Sequence, residues 1–349
     1  MTDLLVYGSY GYTGRLISAA AAERGMDLTI AGRTEQTVRD QAAELGCEWR
    51  AFDLADRGAV EENAAAADVL LNCAGPFIDT YEPLVEACLA GETHYLDITG
   101  EIDVFEGVAD YDARAADAGV TCMPGVGFDV VPTDCLAAHL AERLPEATTL
   151  TLAFEGLDAL SPGTAKTMVD NAEGGLVRRE GRLEAVPAAY KTRRIDFGRG
   201  ERTAVTIPWG DVSTAYRTTG IPNVEVYMAA PEPMVWAMRA GRWFEPVLAA
   251  EPVKDALKRL IDATVDGPSE RARADARSHV WGEVTTDHGD RAVSRLETPD
   301  GYSLTVDAAL EIADRVGDGQ APAGYQTPAG AFGPDLVLDL PDTDREDVV

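Results

Sequence analysis

Three glycines near the N-terminus, Gly8, Gly11 and Gly14, have the G-x-x-G-x-x-G spacing of a turn that could hold a phosphate group. They follow an apolar run at residues 4–7, typical of a buried parallel strand, and precede an Ala-rich stretch at residues 16–22 that predicts a helix. Such glycines let backbone N–H groups approach a phosphate, and the helix N-terminus favours the anion. A tight turn that binds nothing is the alternative. We predict a dinucleotide site made by consecutive residues, namely Gly8, Ser9, Tyr10, Gly11, Tyr12, Thr13 and Gly14.

The residues after the second predicted strand indicate which dinucleotide is preferred. An Asp or Glu at that point accepts hydrogen bonds from the ribose hydroxyls of NAD, whereas this chain has Arg33 followed by Thr34. A guanidinium pairs with a 2′-phosphate that a carboxylate would repel. The sequence therefore favours NADP(H) and includes both residues in the site, with a surface arginine that binds no ligand as the alternative. Asp53, after the third predicted strand, is placed to contact the adenine edge or to cap the next helix.

A loop follows the fourth predicted strand at residues 69–72. Ligands of doubly wound sheets lie across the carboxyl ends of the strands, so this loop should border the ribose and the nicotinamide. A plain turn would use the same Gly-Pro pair. The cofactor residues predicted here are Cys73, Ala74, Gly75, Pro76 and Phe77.

Two further loops, at residues 95–101 and 125–134, leave the same edge and carry several polar groups. Gly127 is predicted to contact the cofactor. A single acidic loop residue usually caps a helix, but several polar side chains at one sheet edge favour a reaction centre. We select Tyr95 and Asp129 as candidate proton donors. Asp97, Glu101, Thr133 and Asp134 complete this polar edge.

Strands and helices alternate at short period through the first 125 residues, which predicts a doubly wound parallel sheet. We therefore expect an α/β protein with a Rossmann domain at residues 1–135. The regular alternation of strands and helices then ends, and a hairpin is predicted at residues 279–298. Residues 136–338 are assigned to a mixed-sheet α+β domain for substrate binding and dimerisation, whose C-terminal part could pack back on the first domain. The acidic residues 339–349 are expected to be disordered.

The charge of the chain excludes nucleic acid as a partner. Its 60 acidic and 30 basic residues give a net charge of -30, which would be repelled by a phosphate backbone. The acidity is dispersed and lysine is scarce, a pattern typical of salt-adapted proteins from halophiles. Stability should therefore rise with ionic strength, because salt screens the repulsion.

Cysteine and histidine usage predicts neither disulfides nor a metal site. The five cysteines are scattered and mostly lie in apolar runs, and the four histidines lack metal-ligand spacing. No signal peptide precedes the first strand, and no apolar run approaches the ~20 residues that span a bilayer. We expect a cytoplasmic location.

The second domain contributes three candidate segments. Ser161-Pro162-Gly163-Thr164 and Lys166 could place a hydroxyl and an ammonium near the nicotinamide, in a cleft between the domains, or could form a capped loop. Residues 208–222, rich in Gly, Thr and Tyr, could line the substrate site. Residues 228–248 combine Met, Trp and Arg and could bind a lipid tail or a membrane surface. Packing against the domain itself or a dimer partner is favoured for that last segment.

Over almost its full length the sequence resembles the saccharopine dehydrogenase-like oxidoreductases, and within them the branch of trans-acting enoyl reductases. The motifs that carry the resemblance are Gly8–Arg15, Ala31–Arg33, Asn72–Phe77, Tyr95–Glu101, Pro124–Asp134, Ser161–Thr164 and Tyr325–Ala329. The resemblance implies an NADPH-dependent reductase of lipid or polyketide-derived chains. Similarity to saccharopine reductase proper is mainly in the cofactor half, so its amino-acid condensation chemistry is not carried over.

These observations predict an NADP(H)-dependent oxidoreductase that acts on a small-molecule or lipid-like acceptor. For an enoyl acceptor, hydride adds to the β-carbon and an acid protonates the resulting enolate. The alternatives are an NADP(H)-binding sensor or scaffold without turnover, a saccharopine-type C–N oxidoreductase, and a peripheral membrane protein that acts on polar lipids.

Overall fold

The computed structural model describes residues 2–156, 174–242, 250–264, 267 and 269–349. The chain divides into two compact units, each made from two separate stretches of sequence. The first comprises the residues up to Val131 together with Tyr302–Phe332, and the second comprises Pro132–Gly301 together with Gly333–Val349. The break near residue 131 lies close to the predicted boundary at residue 135.

The first unit is built on a parallel sheet in the strand order β6-β5-β4-β1-β2-β3. Its strands are β1 Asp3–Tyr7, β2 Asp27–Gly32, β3 Glu48–Ala51, β4 Val69–Asn72, β5 His94–Asp97 and β6 Thr121–Met123. The intervening helices are α1 Tyr12–Glu23, α2 Glu35–Leu45, α3 Arg57–Ala64, α4 Tyr81–Gly91, α5 Ile102–Ala109 and α6 Asp112–Ala118. The predicted Rossmann fold is confirmed.

Local sequence explains the central elements of this sheet. Leu4, Leu5 and Val6 of β1 are at most 1% exposed, as expected for a strand covered by helices on both faces. Helix α2 ends where Gly46 adopts a left-handed conformation (φ 70°), which a residue without a Cβ reaches most easily. Helix α3, which the sequence analysis did not predict, begins at Asp56, whose carboxylate accepts a hydrogen bond from the Ala59 N–H.

The second unit contains a mixed sheet in the order β10-β11-β12-β7-β13-β14, and the hairpin β8–β9 pairs with β12. Its strands are β7 Thr149–Glu155, β8 Gly175–Arg179, β9 Arg182–Val186, β10 Thr192–Asp196, β11 Glu201–Thr206, β12 Asn223–Ala229, β13 Arg277–Thr285 and β14 Arg291–Pro299. The described helices are α7 Val131–Arg143, α8 Asp211–Thr219, α9 Glu232–Gly241, α10 Glu251–Thr264 and α11 Glu270–Asp275. Strands β7 and β12 are parallel, and the other pairs are antiparallel. The predicted mixed-sheet domain is confirmed.

After β14 the chain returns to the first unit through α12 Gly301–Gly317, β15 Gly324–Tyr325 and α13 Pro328–Phe332. Strand β15 pairs in parallel with β6 and becomes the seventh strand of the first sheet. Helix α12 contacts α1 through an edge-to-face pair of Tyr12 and Tyr302 and an ion pair of Arg24 and Asp307. These residues therefore belong to the first sheet and its helices, although more than two hundred residues separate β6 from α13.

The C-terminal segment differs from the predicted disorder. Residues Asp344–Asp347 form strand β16, which pairs with β14 at the edge of the second sheet. The Asp347 carboxylate accepts hydrogen bonds from Ser294 Oγ and lies against His139 Nε2, both at 2.8 Å, and it pairs with Arg143 at 3.3 Å. The acidic composition of residues 339–349 predicts charge repulsion, but the hydrogen bonds and ion pairs of Asp347 with residues distant in sequence offset that repulsion.

Among the described residues, no helix is long and apolar enough to cross a membrane, and no group of His, Cys, Asp and Glu could hold a metal ion. The five cysteines are free thiols.

Candidate active site

The glycine turn after β1 forms a closed loop of backbone. Gly8 adopts a φ of 81°, its N–H donates to the Ala31 carbonyl at 2.9 Å, and the Gly11 N–H donates back to the Gly8 carbonyl at 3.1 Å. A Cβ on Gly14 would lie 2.3 Å from the Gly8 oxygen, so only glycine fits there. Helix α1 then begins with Gly11 as a cap that has no side chain. The turn therefore fits a phosphate group approaching the helix N-terminus.

The Ser9 side chain points into the protein interior beneath this turn. It is fully buried, its hydroxyl donates to Gln41 Oε1 at 2.9 Å, and Gln41 Nε2 donates to the Ser9 carbonyl at 3.0 Å. Ser9 was predicted to bind the cofactor, and its side chain instead ties the turn to α2. Gln41 was missed; the available signal was a polar residue on the buried face of α2, beside Val38 and Ala42.

At the side of the sheet formed by β2 and β3, Arg33 and Thr34 follow β2 directly and are exposed. The Asp53 carboxylate accepts a hydrogen bond from the Ala55 N–H at 2.9 Å, in the turn before α3, and the cap of that helix is Asp56. Burial raises the pKa of Tyr7 to about 12, and the positive charge of Arg33 opposes that rise. The exposed guanidinium of Arg33 is suited to an anionic group such as a 2′-phosphate.

The loop after β4 lies directly against the glycine turn. A Cβ on Gly8 would approach the Ala74 backbone nitrogen at 2.7 Å, and the Cys73 N–H donates to the Tyr7 carbonyl at 2.8 Å. Asn72, fully buried, accepts a hydrogen bond from the Ala74 N–H at 2.9 Å. Burial raises the pKa of the Cys73 thiol, which therefore stays protonated. Cys73 and Ala74, two of the predicted residues 73–77, thus border the turn.

Asp97 joins the loops that follow β5 and β6. Its fully buried carboxylate accepts hydrogen bonds from the Tyr95 hydroxyl and from the N–H groups of Thr99 and Gly125, all at 2.9 Å. Burial raises the pKa of Asp97 to about 7 against the opposing effect of these hydrogen bonds. Tyr95 itself is fully buried, and its hydroxyl also accepts a bond from Asn72 Nδ2 at 3.4 Å. In the structure the Tyr95 hydroxyl therefore forms a hydrogen bond with Asp97 inside the core.

Asp129, the other candidate donor, lies half-buried in the loop after β6. Burial raises the pKa of its carboxyl to about 7. A Cβ on Gly100 would lie 2.5 Å from Asp129 Oδ2, so the absence of a side chain at residue 100 makes room for this carboxyl. Such a pKa near neutrality suits a group that delivers a proton.

Gly127 and Phe128 place this loop against α12. A Cβ on Gly127 would meet the Thr305 methyl group at 2.9 Å, and the Phe128 N–H donates to Thr305 Oγ1 at 3.0 Å. Gly127, predicted as a cofactor contact, therefore lets α12 approach the loop. Thr305 was missed because no local pattern links residue 305 to residue 128.

The candidate segments of the second unit are only partly described. Ser161-Pro162-Gly163-Thr164 and Lys166 lie outside the described residues, as do residues 243–248 of the Met- and Trp-rich segment. Residues 208–222 contain α8, in which Val212 and Ala215 are buried. In α9, Trp236 is 71% exposed and Met234 is 44% exposed.

Comparison with known proteins agrees with this geometry. Residues 4–123 match the family model of the saccharopine dehydrogenase NADP binding domain. Residues 4–123 are therefore a saccharopine dehydrogenase-like NADP binding domain, and the chain is an NADP-dependent oxidoreductase. NADP(H) is its cofactor, and the glycine turn with Arg33 fits that dinucleotide.

Relatives of this oxidoreductase include mycobacterial proteins. A trans-acting enoyl reductase of Mycobacterium ulcerans is 34% identical over 163 residues, which cover 44% of this chain and 39% of that protein. A protein of Mycobacterium tuberculosis that carries the same name provisionally is 25% identical over 405 aligned positions, covering 97% of this chain and 95% of that protein. Among solved structures, saccharopine dehydrogenase (L-Glu forming) from Saccharomyces cerevisiae has a TM-score of 0.66 at 13% identity and covers 100% of both chains. That likeness shows a shared fold.

Proposed function

We propose that this oxidoreductase reduces the carbon–carbon double bond of a lipid-like enoyl acceptor and that Asp129 supplies the proton. The observation that carries the proposal is the Asp129 carboxyl, held beside Gly100 at the carboxyl edge of the first sheet with a pKa of about 7. A protonated carboxyl at that edge would lie on the side of the sheet where doubly wound folds bind their ligands. The names of the mycobacterial relatives support the choice of an enoyl acceptor.

In this proposal, different residues of the first unit bind the cofactor and protonate the substrate. The turn from Gly8 to Gly14 would hold the pyrophosphate, and Arg33 would pair with the 2′-phosphate. When bound, NADPH supplies the hydride that adds to the β-carbon of the acceptor. Asp129 then donates its proton to the α-carbon of the enolate, so that the double bond gains one hydride and one proton. The resulting Asp129 carboxylate recovers a proton from water before the next turnover.

The test is a deuterium-transfer assay on the full chain. The protein is incubated with NADPH deuterated at C4 of the nicotinamide and with a panel of short- and long-chain 2-enoyl thioesters and imines. Mass spectrometry should find one deuterium at the β-carbon of a saturated thioester. Transfer to imines alone would overturn the proposal in favour of a C–N oxidoreductase. Tight NADPH binding without transfer to any acceptor would overturn it in favour of a sensor.

A further inference from the structure

Glu101 makes a pair of contacts that its position in the sequence does not suggest. Its carboxylate accepts a hydrogen bond from the Phe77 N–H at 3.0 Å through Oε1 and from the Ile78 N–H at 2.9 Å through Oε2. Phe77 and Ile78 begin the short 3-10 helix Phe77–Asp79, which follows β4. Glu101 precedes α5, on the neighbouring strand's loop. One carboxylate therefore joins the β4 loop to the β5 loop.

The joined loop lies where the nicotinamide half of the cofactor should bind. The pyrophosphate turn follows β1, and Arg33 follows β2, so the adenosine half extends toward β2 and β3. The other half must extend toward β4 and β5, on the opposite side of β1. Residues 75–77 are at that edge, and the carboxylate of Glu101 holds the backbone at their end.

The rest of the loop is held by separate contacts. Asn72 Oδ1 accepts the Ala74 N–H, and Thr80 Oγ1 donates to the Ala74 carbonyl at 2.8 Å. Asn72 Nδ2 also donates to Thr80 Oγ1 at 3.0 Å. These bonds would hold the ends of residues 74–80 without Glu101, so removing its carboxylate should loosen the centre of the loop and leave the fold intact.

We propose that Glu101 is a positioning residue that fixes the backbone of residues 75–77 against the nicotinamide half of NADP(H). Two N–H donors converge on one side chain, and a carboxylate can accept from both because both of its oxygens are acceptors. A glutamine cannot, because its amide NH₂ would face one of the donors. This inference rests on the proposed placement of the cofactor, and it holds for any acceptor.

Glu101→Gln tests the proposal with two ligands and no acceptor. NADPH carries the nicotinamide, whereas adenosine 2′,5′-bisphosphate carries only the adenosine end. Loss of one charge-assisted hydrogen bond should weaken NADPH binding about tenfold, and the affinity for the bisphosphate should stay unchanged. Asp103→Asn, an exposed residue in the first turn of α5, is the control for the loss of one negative charge. That variant should bind both ligands like the parent protein.

The possible results separate this role from a general structural one. Equal weakening of both ligands, or no weakening of either, would overturn the proposal. Amide hydrogen exchange at Phe77 and Ile78 should accelerate in Glu101→Gln while exchange in β1 and β4 is unchanged. If Glu101→Gln does not fold, Glu101→Ala leaves both N–H groups to water and is measured in the same way. Because binding is measured without an acceptor, a failure to detect enoyl reduction leaves this result interpretable.

Discussion

Replacement of Asp129 by Asn should remove the proton donor and with it the pH dependence of the reduction. With a pKa of about 7, roughly nine-tenths of the carboxyl is protonated at pH 6 and roughly one-tenth at pH 8. In the parent protein kcat should therefore fall about tenfold for each pH unit above about 7, since the protonated form is the active one. Asp129→Asn should lower kcat roughly 10²–10⁴-fold and give a flat profile across that range.

The assay is a steady-state measurement of NADPH oxidation from pH 5.5 to 9, with the acceptor identified in the deuterium experiment. Gly100→Ala provides a second perturbation, because its Cβ would lie 2.5 Å from Asp129 Oδ2 and must displace the carboxyl. It should lower kcat while NADPH affinity is retained. Asp103→Asn again controls for charge. An Asp129→Asn protein with the parent rate and the parent pH profile would refute the reasoning.

Four further substitutions test the site. In a fluorescence titration, Arg33→Ala should weaken NADPH affinity by roughly ten- to a hundredfold, because a charge-assisted hydrogen bond contributes ~1.5–3 kcal/mol. The affinity for NADH should be nearly unchanged. Equal losses of affinity for both cofactors would contradict the assignment of Arg33 to the 2′-phosphate. Gly11→Val should stay folded by circular dichroism yet bind no NADPH. Gly14→Ala should lower the free energy of unfolding by ~1–3 kcal/mol, because its Cβ would collide with the backbone of Gly8. Tyr95→Phe should lower the free energy of unfolding in urea by ~1–3 kcal/mol, because buried Asp97 loses a hydrogen-bond donor. It should change kcat little. A loss of kcat as large as that of Asp129→Asn would indicate that Tyr95 is the proton donor.

Local signals were enough to predict several elements of the first unit. The observed bounds of β4, Val69–Asn72, are those predicted for the fourth strand. The glycine turn was predicted from the spacing of its glycines between β1 and α1, although its contacts with Ala31, Gln41 and Ala74 were not. Helices α3, α5 and α6 were missed because they are short, and their capping signals lie among many other acidic residues.

Contacts between distant residues could not be predicted. Nothing near Glu101 indicates that its partners are the N–H groups of Phe77 and Ile78. The hydroxyl of Tyr95 was expected to face a substrate, and only the packing of β5 between its neighbours shows that it faces Asp97. The tail strand β16 likewise depends on partners about fifty to two hundred residues away. A single sequence records the side chains at such sites but not which of them meet.

The late arrival of β15 has a consequence for how this protein is made on the ribosome. The outer edge of β6 has no neighbour until Gly324 and Tyr325 have been synthesised. At ~5–20 residues per second, translation from Val131 to that point takes roughly 10–40 s. During this interval an unpaired strand edge is exposed to other nascent chains, a hazard for aggregation that chaperones must limit. A fragment that stops at Val131 would keep this open edge permanently, so the nucleotide-binding half should be unstable when expressed without the residues that return to it.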